Sequence, residues 1–266
     1  MRKHPFQTTL LCFFLLLGIS LTGRAQGTLY LVTCIDAVNA DIAGGCKQDA
    51  ELAVDLFRGE AARLAGLNFS QIDLPFSQAA VQDFVDKFQC NSNDVVIFLY
   101  SGHGFRYDDD GDEWPWPYMY LCDRNSDKET LDCDFDLEQV YDALVEKGPR
   151  MSITIGNSCN DPLENSDPDS DATPYVEDAS QRQRFFRADL FSQFSGHIIA
   201  SACSRNQSAY TNVDAGSYFA VELFKSIAAA LDSDKPRSWE GIFNKTKTAV
   251  NTLTDGRQTP QFRVRY

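Results

Sequence analysis

Asp94-Val95-Val96-Ile97-Phe98-Leu99-Tyr100-Ser101-Gly102-His103-Gly104 is a continuous apolar run that stops at a small, polar turn. A run without polar alternation reads as a strand covered on both faces, the kind found inside parallel sheets. A second such run, Met151–Ile155 (MSITI), stops at Gly156-Asn157-Ser158-Cys159. Outward from these two, Thr28–Cys34 (TLYLVTC), Asn68–Leu74 and His197–Ala202 (HIIASA) read as further strands, with Tyr118–Cys122 a short one. Between them, Gly45–Gly66, Ser77–Cys90, Asp136–Lys147, Ser217–Leu231 and Ser238–Thr252 place apolar residues at helical spacing. Strands alternating with helices predict an α/β fold, a three-layer α-β-α sandwich around a mostly parallel sheet. In open sheets of that type, chemistry sits at the carboxyl ends of the strands.

The chain has 266 residues, 43% of them hydrophobic, which is enough for a large core and too apolar for a disordered chain. Its net charge of −14 argues against nucleic acid and against an anionic membrane surface, since both demand a basic face. Residues 1–25 have the three parts of a secretory leader: a basic start (Arg2, Lys3), an apolar run Leu10–Ile19, and Gly23-Arg24-Ala25 at the cut. The apolar run is too short to span a bilayer, which takes about 20 residues. The expected product is therefore a soluble secreted or periplasmic protein cleaved after about Ala25, without a stable membrane anchor. Residues 26–266 are expected to form a single domain. Loss of Cys12 with the leader leaves an odd number of the eight cysteines in an oxidising compartment. Up to six of them could then pair, leaving one free thiol.

His103 and Cys159 each lie just past the end of a buried strand, 56 residues apart. The glycines around His103 let backbone and substrate approach closely. If the two strands are neighbours, imidazole and thiol meet, and a thiol beside a basic imidazole is expected to be partly thiolate near neutral pH. Caspases place the histidine about 50 residues before the cysteine.

Several pieces in order resemble the caspase-like clan, which holds caspases, metacaspases and paracaspases. VVIFLYSGHG (95–104) is similar to its histidine motif and MSITIGNSCND (151–161) to its cysteine motif. GCKQDAEL (45–52) resembles the first-helix signature, IIASACSRNQSAY (198–210) the start of the small-subunit region, and QTPQF (258–262) the C-terminal segment. The resemblance covers nearly all of the chain after the leader. It implies a cysteine endopeptidase acting on proteins or peptides, with Cys159 attacking the scissile carbonyl and His103 serving as acid and base. The oxyanion would be held by the backbone N–H groups of Cys159 and Gly104. No cofactor is required for that chemistry.

The same resemblance bears on specificity. Asp49 and Ser101 match two metacaspase pocket positions. Asn157 falls where that pattern has an aspartate, and Tyr210 where caspases have an arginine. One carboxylate with polar helpers suits a guanidinium or ammonium, so cleavage after Arg or Lys is expected, with small or neutral P1 residues and no cleavage as alternatives. Asp49 also has a purely structural reading, as a charge near a helix N-terminus. The long stretch 160–195 lies where family members are processed, and Arg182, Arg184 and Arg187 offer basic cleavage points there. The acids Asp108, Asp109, Asp110, Asp112 and Glu113 supply oxygen ligands of the kind Ca²⁺ takes, and many metacaspases need calcium. Cys122 and Cys133 are the pair expected to bridge. Trp114 and Trp116 read either as a cleft rim or as a packed loop. Two other readings stay open, a catalytically inactive caspase-like binding protein and a legumain-like hydrolase or transpeptidase.

Overall fold

The computed structural model describes residues 26–107, 111, 114–125, 132–162 and 189–266. The leader, the Asp108–Glu113 acids and the arginines at 182–187 lie outside these residues. The chain runs β1 (Thr28–Ile35), α1 (Ala43–Leu56), α2 (Arg63–Ala65), β2 (Asn68–Leu74), α3 (Gln78–Lys87) and β3 (Val95–Ser101). It continues through β4 (Gly104–Phe105), β5 (Tyr118–Tyr120), β6 (Asp134–Asp136), α4 (Leu137–Lys147) and β7 (Met151–Asn157). The last part comprises α5 (Asp189–Ser192), β8 (Gly196–Ser201), β9 (Thr211–Asn212), β10 (Gly216–Ser217), α6 (Tyr218–Leu231), α7 (Trp239–Leu253) and β11 (Gln261–Arg265).

Six strands form the central sheet in the order β11-β8-β7-β3-β1-β2. All neighbours are parallel except β11, which runs antiparallel to β8. The expected mostly parallel sheet is thus present, and its strands alternate faces with period two. Val95, Ile97 and Leu99 on one face of β3 join the core with Ala53, Leu56, Leu223 and Trp239 from α1, α6 and α7. Val96, Phe98 and Tyr100 on the other face pack with Val81 and Phe84 of α3 and Val140 and Leu144 of α4. This two-sided burial is why β3 carries no polar alternation. The sheet is the middle of three layers.

Local chemistry sets most helix starts. The side chains of Ser77, Asp136, Ser217 and Ser238 accept backbone N–H bonds from Ala80, Glu138, Ala220 and Gly241 at the first turns of α3, α4, α6 and α7. The single helix expected over Gly45–Gly66 is interrupted: Phe57–Ala62 widens into a π-helical turn before α2 ends at Gly66 with φ of +66°. Periodicity alone does not register such a turn, because Phe57, Ala61 and Ala62 still face the core.

Candidate active site

β3 and β7 are adjacent and pair in register, with Ser101 opposite Asn157. Both strands therefore end at the same level, and the Gly102 N–H donates to the Asn157 carbonyl at 3.2 Å. His103 and Cys159 each follow two residues later, and both line one cavity of about 360 Å³ together with Arg124 and Asp161. Gly104 lets the two loops close on each other. A Cβ there would lie 2.4 Å from Ser158 Oγ and 2.8 Å from the Cys159 carbonyl, so no other residue fits without moving that loop. Tyr100 OH lies within bonding distance of the His103 carbonyl and 2.9 Å from that of Tyr120, which ties the histidine loop to β5.

Cys159 is held from the opposite side. Its Sγ accepts the Ala209 N–H at 3.3 Å. Beneath it, the fully buried Cys203 lies 3.3 Å from the Ser158 carbonyl and 3.0 Å from that of Gln207, which pins the loop from below. Burial pushes the Cys159 thiol up, Asp161 adds to that, and Arg124 opposes it. Desolvation thus favours the thiol over the partial thiolate expected beside an imidazole, outweighing the opposing charge of Arg124. Among the described residues no hydrogen bond joins Sγ to His103. Instead, His103 Nε2 lies 3.2 Å from Asp41 Oδ2, a partner that sequence reasoning did not single out.

A second cavity of about 150 Å³ adjoins the first and is lined by His103, Cys159, Ser101, Asn157, Cys46 and Tyr210, among others. The structure brings Asp49, Ser101 and Asn157 together here. Asp49 Oδ2 accepts from Ser101 Oγ at 2.8 Å and from Asn157 Nδ2 at 2.7 Å, while Oδ1 accepts the Ser217 N–H at 2.8 Å. Gly216 has φ of +93°, and a Cβ there would sit 2.6 Å from Asp49 Oδ1, so this position also requires glycine. Asn157 has its amide nitrogen fixed against the carboxylate, leaving Oδ1 as a buried acceptor with no hydrogen-bond partner among the described residues. Burial raises the Asp49 carboxyl to about 6, against the lowering effect of its hydrogen bonds with Ser217, Ser101 and Asn157. Asp49 stands in the second turn of α1, whose first turn holds no acid, so a role as a helix N-terminal charge is excluded. Tyr210 is positioned by its N–H bond to Gln258 Oε1 at 3.0 Å, with the Arg257 guanidinium 5.1 Å over its ring.

Ser217, which donates to Asp49, was legible only as the start of α6. Trp116 is packed in the core and Trp114 is partly exposed, so only Trp114 could form a rim. The Cys122–Cys133 bridge is present, with Cα atoms 5.3 Å apart. The wider pairing expectation is corrected. Cys34, Cys46, Cys90, Cys159 and Cys203 are all free, so Cys159 is not singled out by parity. Cys34, Cys46 and Cys203 lie in the core, where burial raises each thiol. Among the described residues, no group of three or more His, Cys, Asp or Glu side chains could hold a metal.

No curated protein matches the chain significantly. Among solved structures, caspase-1 from Spodoptera frugiperda is similar, at 10% identity and a TM-score of 0.55, over 89% of this chain and 86% of that one. A protein from Geobacter sulfurreducens is similar at 17% identity and a TM-score of 0.50, over 90% of this chain and 93% of that one. At such identities these likenesses establish the fold, in which a caspase-like sheet carries the His103 and Cys159 loops at one edge. The family model for the caspase domain matches residues 35–265. The chain therefore belongs to the caspase-domain family of cysteine peptidases, peptidase C14.

Proposed function

We propose that this chain is a secreted caspase-like cysteine endopeptidase that cleaves after arginine or lysine. The observation that carries the reading is the pairing of β3 with β7, which sets His103 and Cys159 on one cavity beside a pocket with a buried carboxylate beneath it. Burial favours the thiol form of Cys159, so attack and deprotonation go together: Sγ bonds to the scissile carbonyl carbon as its proton passes to His103. The oxyanion accepts from the backbone N–H groups of Cys159 and Gly104. The imidazolium then gives its proton to the leaving amine, the C–N bond breaks, and a thioester remains. Water attacks the thioester, loses a proton to His103 and releases the acid, and that proton returns to sulfur.

In the smaller pocket a P1 guanidinium or ammonium meets an acceptor already desolvated, Asn157 Oδ1, with the Asp49 charge directly behind the same amide. A substrate aspartate would meet those acceptors with no donor to match, at a cost of about 1–3 kcal/mol per unpaired group. The Cys122–Cys133 bridge and the leader support secretion. No helix among the described residues is long and apolar enough to cross a membrane. Residues 26–266 act as one peptidase domain, and no step involves a metal. Calcium would be taken by the oxygens of Asp108, Asp110 and Asp112 and would modulate the enzyme without entering a step.

A P1-scanning peptide library, run on wild type and Cys159→Ala with and without Ca²⁺, tests the reading. Cleavage after Arg and Lys that vanishes in the alanine variant is expected. Cleavage that survives the change would overturn the mechanism, and cleavage only after Asp would overturn the pocket. A chain that binds peptides without cutting them would be the inactive relative, and transfer to an added amine would mark a transpeptidase.

A further inference from the structure

The loop between β1 and α1 is stapled at its base. The buried Asp36 carboxylate accepts the N–H groups of Val38 at 3.1 Å and Asn39 at 2.9 Å, and the Asn39 side-chain amide at 2.8 Å. Asn39 then reaches across to the disulfide loop: its Nδ2 donates to the Cys122 carbonyl at 3.0 Å and its Oδ1 accepts the Arg124 N–H at 2.9 Å. The Asn39 carbonyl accepts from Ile42 and Ala43, closing the turn before α1. Asp41 is the residue this turn presents, and its Oδ2 lies 3.2 Å from His103 Nε2. An ionised carboxylate only accepts, so Nε2 carries the ring proton in the neutral imidazole and Nδ1 is left as the basic nitrogen.

We propose that Asp41 is a positioning residue for His103: it holds the ring so that Nδ1 takes the Cys159 proton, and it faces the imidazolium that results. The proposal rests on the reading of His103 as the acid–base group. The proton balance is complete within the site. Nδ1 receives the thiol proton on attack and passes it to the leaving amine, then takes one from the hydrolytic water and returns it to sulfur. Nε2 keeps its proton throughout, on Asp41. The charged and titratable groups paired with His103 or lining its cavities are Asp41 from the β1–α1 loop, Cys46 of α1, Tyr120 of β5, Arg124 of the disulfide loop, Cys159 and Asp161 after β7, and Tyr210 after β8. Because the Asp41 side chain is 58% exposed, its influence is modest and screened by salt.

The test compares wild type, Asp41→Asn, Asp41→Glu and His103→Ala by two readouts against pH. One is the rate of iodoacetamide alkylation at Cys159, which stands whether or not a peptide is cut. The other is turnover of a peptide with a neutral P1 residue, which leaves Asp49 out of the profile. In Asp41→Asn kcat falls about tenfold while KM stays within about twofold. Asp41→Glu recovers most of the loss. An Asp41→Asn chain with the wild-type kcat would overturn the inference. Alkylation profiles that coincide for wild type and His103→Ala would overturn the acid–base reading itself, and the Asp41 role with it.

Discussion

His103 and His197 stand at opposite ends of the strands of one sheet and have opposite surroundings. His103 lies beyond the carboxyl end of β3, between glycines, on an open cavity with Cys159 and an exposed carboxylate at Nε2. His197 is the second residue of β8, at the amino edge, opposite Ser152 on β7 and Arg265 on β11. Its Nδ1 lies 2.9 Å from Ser152 Oγ. Burial and Arg265 lower its pKa, so it is kept neutral as part of the packing. The residue type is the same, and position along a parallel strand decides whether it meets substrate or core.

The sharpest break in that comparison is a pair of alanine changes. His103→Ala should lower kcat about 10²–10⁴-fold, and Cys159→Ala should abolish turnover, whereas His197→Ala should leave kcat/KM within about twofold. Comparable losses at both histidines in correctly folded protein would contradict the assignment.

Next in size is the pocket. Asp49→Ala should reduce kcat/KM for Arg and Lys substrates about 100-fold while sparing neutral P1 residues, measured with matched peptides and checked for folding by circular dichroism. The same carboxyl, raised to about 6, gives a pH signature. It is ionised above that value and protonated below it, so selectivity for basic over neutral P1 should fall about tenfold per pH unit below about 6. A selectivity ratio that stays flat from pH 8 to 5 would remove Asp49 from the pocket.

Stability effects are smaller. Opening the Cys122–Cys133 bridge by a double serine change should cost about 2–3 kcal/mol in denaturant unfolding, as expected for a short closed loop. The smallest expected effect belongs to His197. Its lowered pKa means the unfolded chain binds a proton that the folded chain resists, so folding stability declines as pH drops through 6.5. His197→Gln should flatten that decline.

What the residues reveal before folding follows the same division. β3 and β7 were legible because two-sided burial leaves an unmistakable apolar run, and their ends located His103 and Cys159. Asp49, Ser101 and Asn157 could be named from the resemblance, but not their contact, which depends on the register between α1 and two strand ends. Asp41 had no signal: one exposed acid in an irregular loop looks like solvated surface until the turn around Asn39 is seen. The cysteines misled because parity counts sulfurs without knowing which are walled into the core. The π-helical turn after α1 kept its apolar face and so left no trace in the pattern.

The most direct test is to expose the native chain to a peptide chloromethyl ketone carrying arginine at P1 and to map the adduct by mass spectrometry. The account predicts a single adduct on Cys159, formed slowly in His103→Ala and outcompeted by an arginine peptide. Labelling spread over Cys34, Cys46, Cys90 and Cys203, or labelling of Cys159 at the same rate without His103, would contradict it.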